Sequence, residues 1–160
     1  MIVVSNSSPL IGLSAIGKLD LLKTLYQKIY IPESVYEEVT QSGNRIGASE
    51  IKKASWIEKR KVSQLEINQL STKTGLGKGE TAALILASEL NADLLIIDDL
   101  KARKNAQTKR QAIIGILGIF LLAKSQNLIS EVRNPLDDLI AFGYWISPNL
   151  YQKILESANE

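Results

Sequence analysis

Leu94-Leu95-Ile96-Ile97-Asp98-Asp99 is the stretch whose reading decides the fold. Four apolar residues in a row leave no room for the alternation of a half-exposed strand. The run therefore predicts a strand buried on both faces, the kind found in parallel sheets covered by helices. It ends in two aspartates, and open parallel sheets bind their ligands beyond the carboxyl ends of their strands.

Outward from this strand, Ile2-Val3-Val4 and Ile29-Tyr30-Ile31 are two further short β-branched runs. The charge-dense residues 56–62 predict an edge strand and residues 112–114 one more short strand. Helices are predicted between them. The first runs from Pro9, capped by Ser8 and stopped by Gly17, and the next covers residues 19–26. A helix opened by Pro32 carries Val35, Tyr36 and Val39 on its buried side, and residues 41–47 form a loop. Further helices cover residues 48–53, the nearly all-apolar 80–90, a polar span from the acid pair to about 107, then 116–126, 135–142 and 148–158. Strands alternating with helices predict one α/β domain over residues 1–160, with a parallel sheet covered on both faces.

The composition narrows the chemistry. At 45% apolar and 22% charged residues, the 160-residue chain lies in the globular range, which excludes wholesale disorder. There is no cysteine, which excludes disulfides, thiolate metal sites and cysteine nucleophiles and suits a reducing cytoplasmic location. There is no histidine, which removes the histidine-dependent triads and the usual zinc ligand. Any enzyme chemistry must rest on carboxylates, lysines, hydroxyls or a bound ion. MIVVSNSSPL lacks the basic start and long apolar run of a signal peptide, and the longest apolar stretch, residues 112–123, is too short to span a bilayer.

Two predicted strands end in oxygen-rich residues at one sheet edge: Ser5-Asn6-Ser7-Ser8 after the first, Asp98-Asp99 after the clearest. Glu80 in a helix first turn and Glu38 after Pro32 are candidates to join them. Carboxylates gathered in one crevice repel each other unless a divalent cation neutralises them, and an oxygen-only donor set points to Mg²⁺ or Mn²⁺. Each residue also has a plainer explanation. Glu80 suits a helix dipole, Asp98 or Asp99 an N-cap, Glu38 a solvated helix face and Ser8 a cap. Gly75-Leu76-Gly77-Lys78-Gly79 is not a phosphate loop, because Lys78 is followed by glycine rather than Ser or Thr; these glycines predict a turn into the buried helix. Lys101, Arg103, Lys104, Lys109 and Arg110 lie in an acid-free run directly after the aspartates. Such a run is usually a solvated face, but beside a metal site it also suits phosphate contacts.

Four segments in order resemble the PIN domain, and within it the prokaryotic branch close to VapC-type toxins. They are Val3-Val4-Ser5-Asn6-Ser7-Ser8-Pro9-Leu10-Ile11, Pro32-Glu33-Ser34-Val35-Tyr36-Glu37-Glu38-Val39, Gly77-Lys78-Gly79-Glu80-Thr81-Ala82-Ala83-Leu84 and Leu95-Ile96-Ile97-Asp98-Asp99. The likeness continues through Gly115-Ile116-Leu117-Gly118 and Ile146-Ser147-Pro148. It implies a three-layer α/β/α sandwich around a central parallel sheet, and a Mg²⁺- or Mn²⁺-dependent ribonuclease. The same likeness places Glu38, Glu80 and an acid of the Asp98-Asp99 pair at the catalytic centre. Asn6, Glu80 and that pair then face the metal, while Ser8, Lys101, Arg103 and Lys104 face the nucleic acid. An RNA substrate, an antitoxin partner and a homodimer follow from the resemblance too. One residue departs from the pattern: where the family usually carries an aspartate ligand, this chain has Asn6, which can coordinate an ion but adds no charge. Two functions therefore compete, a metal-dependent endoribonuclease and a PIN-fold module that binds RNA or protein without cutting.

Overall fold

The computed structural model describes residues 1–41 and 47–160, so the loop expected at 41–47 falls largely outside the described residues. All five predicted strands form one parallel sheet in the order β3-β2-β1-β4-β5. The strands are β1 (Val3–Ser5), β2 (Ile29–Pro32), β3 (Ile57–Arg60), β4 (Leu94–Ile96) and β5 (Ile113–Ile114). The helices are α1 (Ser7–Ala15), α2 (Asp20–Tyr26), α3 (Glu33–Thr40), α4 (Ala48–Lys53), α5 (Gln64–Thr74), α6 (Lys78–Glu89), α7 (Leu100–Thr108), α8 (Ile116–Ser125), α9 (Arg133–Phe142) and α10 (Pro148–Ser157).

The short apolar runs are covered on both faces, and successive residues explain how. Val3 and Val4 are both fully buried but belong to different core clusters, because neighbouring strand side chains point to opposite faces. Val3 and Ile96 pack with Leu10 and Leu13 of α1, Val35 and Val39 of α3, and Phe120 of α8. Val4, Leu95 and Ile97 pack with Ala83, Leu84 and Leu86 of α6 and Ala102 of α7. The result is the α/β/α sandwich that the strand pattern implies.

One local expectation needs correction, and one helix was not foreseen. Helix α1 begins at Ser7 with Asn6 in the N-cap position, so Ser8 is not its cap. Pro9 sits inside the first turn, where its missing N–H has no intrahelical acceptor to lose. Pro32 ends β2 and occupies the N-cap of α3, so it opens that helix as expected. The unforeseen helix is α5, which hydrophobic periodicity does not reveal because Ile67 is its one buried residue. Its ends are nevertheless marked: the Ser63 side chain accepts from Glu66 N at 3.3 Å, and Gly75 closes the helix at φ 72°.

Candidate functional site

The sheet order fixes where a cleft can open. Chain connections leave β1 toward β2 on one side, and β4 lies on the other, so the topological switch falls between β1 and β4. Register pairs Ser5 with Ile96, which sets Asn6 beside Ile97 and Asp98 at the carboxyl edge. The Asn6 backbone N–H donates to Ile96 O at 3.0 Å and holds this alignment. Asn6 is 1% exposed, so its side chain cannot turn to bulk water.

Helix α6 brings Glu80 to Asn6. Gly77 is its N-cap, and buried Thr81 donates its hydroxyl to Gly77 O at 2.8 Å, fixing the first turn. Gly75 and Gly77 therefore do separate work, closing α5 and opening α6, as the turn reading of this glycine-rich stretch expects. Asn6 Nδ2 donates to Glu80 Oε1 at 3.4 Å, across 74 residues of chain. The Asn6 Oδ1 accepts from the Ser7 hydroxyl at 3.5 Å. Gly79 leaves open the space beside them. A Cβ there would lie 3.4 Å from Glu38 Oε2 and 3.5 Å from Asn6 Oδ1. The fold thus brings Asn6, Glu38 and Glu80 around one glycine.

The two aspartates after β4 part company. Asp99 is exposed and caps α7, its Oδ2 accepting from Ala102 N at 2.8 Å. Asp98 is half-buried and turned toward the start of α8, its Oδ1 accepting from Ile116 N at 2.8 Å. Its Oδ2 lies 3.3 Å from the Tyr144 hydroxyl. Burial raises the Asp98 pKa above the ordinary carboxylate range, against the opposing pull of the Ile116 N–H, Tyr144 and Arg103. Gly115 permits this arrangement, since a Cβ there would come within 2.7 Å of Asp98 Oδ1 and 2.5 Å of Arg103 Nη1.

Ser8 does not stand open to a ligand. It is half-buried, with its hydroxyl 3.1 Å from that of Tyr144, which also donates to Ser8 O at 2.9 Å. The basic run divides by helical geometry. Arg103 turns to Asp98 and Gly115, on the flank of a groove of about 580 Å³ that includes Leu100, Ile114 and Leu150. Lys101 and Lys104 face the other way, into a pocket of about 250 Å³ beside the end of α5. Tyr144 is the contributor that the sequence did not reveal, because no periodicity or motif links it to residues more than 130 positions away.

All the donors at this edge are oxygens, which in kind fit a hard divalent cation better than zinc. Around Gly79 they comprise two carboxylates and one amide, and among the described residues no group of three or more acidic, histidine or cysteine side chains is arranged to hold a metal. Asn6 stands in this group as an amide, which adds an oxygen but no charge.

An open parallel sheet with helices on both faces and oxygen-bearing side chains at its switch point places the chain among α/β proteins with a carboxylate-lined sheet edge. Compared with known families, residues 2–160 match the one described as DUF3368, PIN domain. The chain belongs to that family, whose members are typically nucleases that commonly use divalent metals. A comparison with curated proteins finds no match. Among the described residues no helix is long and apolar enough to cross a membrane.

Proposed function

We propose that the protein is a Mg²⁺- or Mn²⁺-dependent endoribonuclease, acting as the toxin of a toxin–antitoxin pair in the manner of VapC-type proteins. The observation that carries the catalytic part is the space at Gly79, bordered by oxygens of Glu38 and Asn6, with Glu80 bonded to Asn6. Asn6 Oδ1, Glu38 and Glu80 would hold the ion, with Asp98 at the neighbouring strand end. A bound divalent ion supplies charge stabilisation for an in-line displacement at a phosphodiester and makes water a better nucleophile. The chain's own residues do the rest. The Thr81 hydroxyl, bonded to Gly77 O, anchors the first turn of α6, which brings Glu80 to the cleft. Lys101 and Lys104, exposed on α7, offer charge to backbone phosphates. The antitoxin partner and a homodimer belong to the same proposal and rest on the VapC-like sequence motifs.

One observation favours a second reading. Asn6 turns its amide N–H₂ toward Glu80 and gives the carboxylate a protein hydrogen bond in place of an ion. A protein built this way could bind RNA or a partner through the same edge and not cut. Titration calorimetry with Mn²⁺ separates the two. The nuclease reading expects a saturable site in wild type that Glu80→Gln weakens at least tenfold. No saturable binding in wild type would leave the binding module as the surviving reading.

A further inference from the structure

Trp145 is 83% exposed, more than any other large apolar side chain of the described residues. An indole left in water forgoes one of the larger gains that burial offers, so the way it is held bears on its use. Its backbone is fixed from both sides. Helix α9 ends at Gly143, at φ 122°, and the Tyr144 N–H donates to Leu139 O at 3.1 Å. Beyond Trp145, the Ser147 side chain caps α10 by accepting from Leu150 N at 3.1 Å. Between these anchors Tyr144 and Ile146 both pack against the core cluster of Val3, Leu10 and Leu139, and Trp145 turns outward between them. The Tyr144 hydroxyl sets where this happens. It lies 2.9 Å from Ser8 O and 3.3 Å from Asp98 Oδ2, on the segments that follow β1 and β4. Trp145 is thus carried one residue from a contact with both strand ends, on the solvent side.

We infer that Trp145 is a stacking platform for an unpaired base of single-stranded RNA bound along the carboxyl edge of the sheet. This rests on the RNA-binding part of the reading above and needs no metal ion. Every base has a π-face, so an aromatic ring held in place takes any of them, provided the base is free of a pairing partner. Charge complementarity favours RNA over a protein partner. Helix α7 starts at the same edge and carries Lys101, Arg103 and Lys104, none of which forms an ion pair among the described residues. The two acids that precede them are engaged, Asp99 by Ala102 N and Asp98 by Ile116 N and Tyr144. Ile140 and Phe142, also exposed, lie two positions apart on α9 and so face different ways rather than forming one patch with each other.

The test is binding of a fluorescein-labelled single-stranded oligoadenylate in EDTA, where no metal-dependent cleavage intervenes, followed by anisotropy across a salt series. Trp145→Ala should weaken binding about fivefold or more and leave the log–log salt slope as in wild type, because stacking releases no counterions. Trp145→Phe keeps an aromatic face and should recover most of the affinity. On an abasic strand of equal length, which has the phosphates and no bases, Trp145→Ala should bind as wild type does. Wild-type tryptophan emission should be quenched by the unlabelled oligoadenylate, and Trp145→Phe, whose remaining indole is the half-buried Trp56, should show no quenching. Wild-type affinity in Trp145→Ala, or an equal loss on the abasic strand, overturns the inference, while Lys101→Ala with Lys104→Ala still reports on RNA binding itself. A wild-type dimer that Trp145→Ala dissociates in sedimentation, with RNA affinity kept, also overturns it and gives the ring to a protein interface. No RNA binding by wild type overturns both the inference and the reading beneath it.

Discussion

Asn6→Asp exchanges an amide that donates to Glu80 for a carboxylate that repels it. In the native structure the two side chains meet at 3.4 Å and Asn6 is 1% exposed, so an aspartate there has little water to turn to. Two unit charges at that separation repel by about 1 kcal/mol in water and about 5 kcal/mol at an effective dielectric near 20. Glu80 is only half-buried and can swing outward, which places the expected loss nearer the lower end, at about 2 kcal/mol with the lost hydrogen bond included. For a chain of this size that corresponds to a fall in Tm of roughly 4–8 °C in chelator-treated buffer. A divalent ion should reverse the sign. The added charge completes the donor set, and an ion at about 100 times its Kd returns about 2.7 kcal/mol to the folded state. The assay is thermal unfolding of wild type and Asn6→Asp with EDTA and across a Mn²⁺ series. The expected crossing has the variant less stable without metal and gaining more from it than wild type. A variant equally stable with EDTA, or one that gains no more from Mn²⁺ than wild type, would refute the placement of Asn6 against Glu80 at a cation site.

The other predictions follow from the same contacts. Glu80→Gln keeps an acceptor for Asn6 Nδ2, so metal-free stability should change by less than about 0.5 kcal/mol in urea unfolding; a larger loss would give Glu80 a helix-dipole role instead. Lys101→Ala with Lys104→Ala should flatten the salt dependence of single-stranded RNA binding by about 1.4 in the log–log slope, while Arg103→Ala should alter stability more than that slope. Burial raises the Asp98 pKa, so its protonated form favours the folded state. That contribution is fully present below the ordinary carboxylate pKa and is lost as pH rises through the raised folded value. Asp98→Asn should therefore remove a decline in metal-free stability across weakly acidic pH, visible as a flatter Tm-versus-pH curve. Ser63→Ala removes the cap of α5 and should cost about 1 kcal/mol, or roughly 2–4 °C.

What the sequence disclosed follows from which interactions are local. Each strand is a short run whose neighbours must be apolar on both faces, so Val3-Val4 and Leu94 to Ile97 announce themselves without knowledge of their partners. The acids at strand ends were legible for the same reason, because the ends of buried parallel strands share one edge. Helix α5 was not, since its polar face is most of its surface and only the Ser63 to Glu66 pair marks its start. The choice between Asp98 and Asp99 was also beyond the sequence. Adjacent residues leaving a strand point in different directions, and only the position of Ala102 N and Ile116 N shows which one caps α7 and which turns inward. Tyr144 lay furthest from view, because its contacts depend entirely on how the C-terminal segment crosses the start of α1.

The most direct test of the central claim is cleavage of a mixed RNA pool across a Mn²⁺ titration, with Glu80→Gln run beside wild type under identical conditions. The account predicts cutting by wild type that rises with Mn²⁺, saturates, and is abolished by EDTA, and at least a tenfold slower reaction for Glu80→Gln. RNA left intact by wild type at saturating Mn²⁺, or cut equally fast by Glu80→Gln, would contradict it.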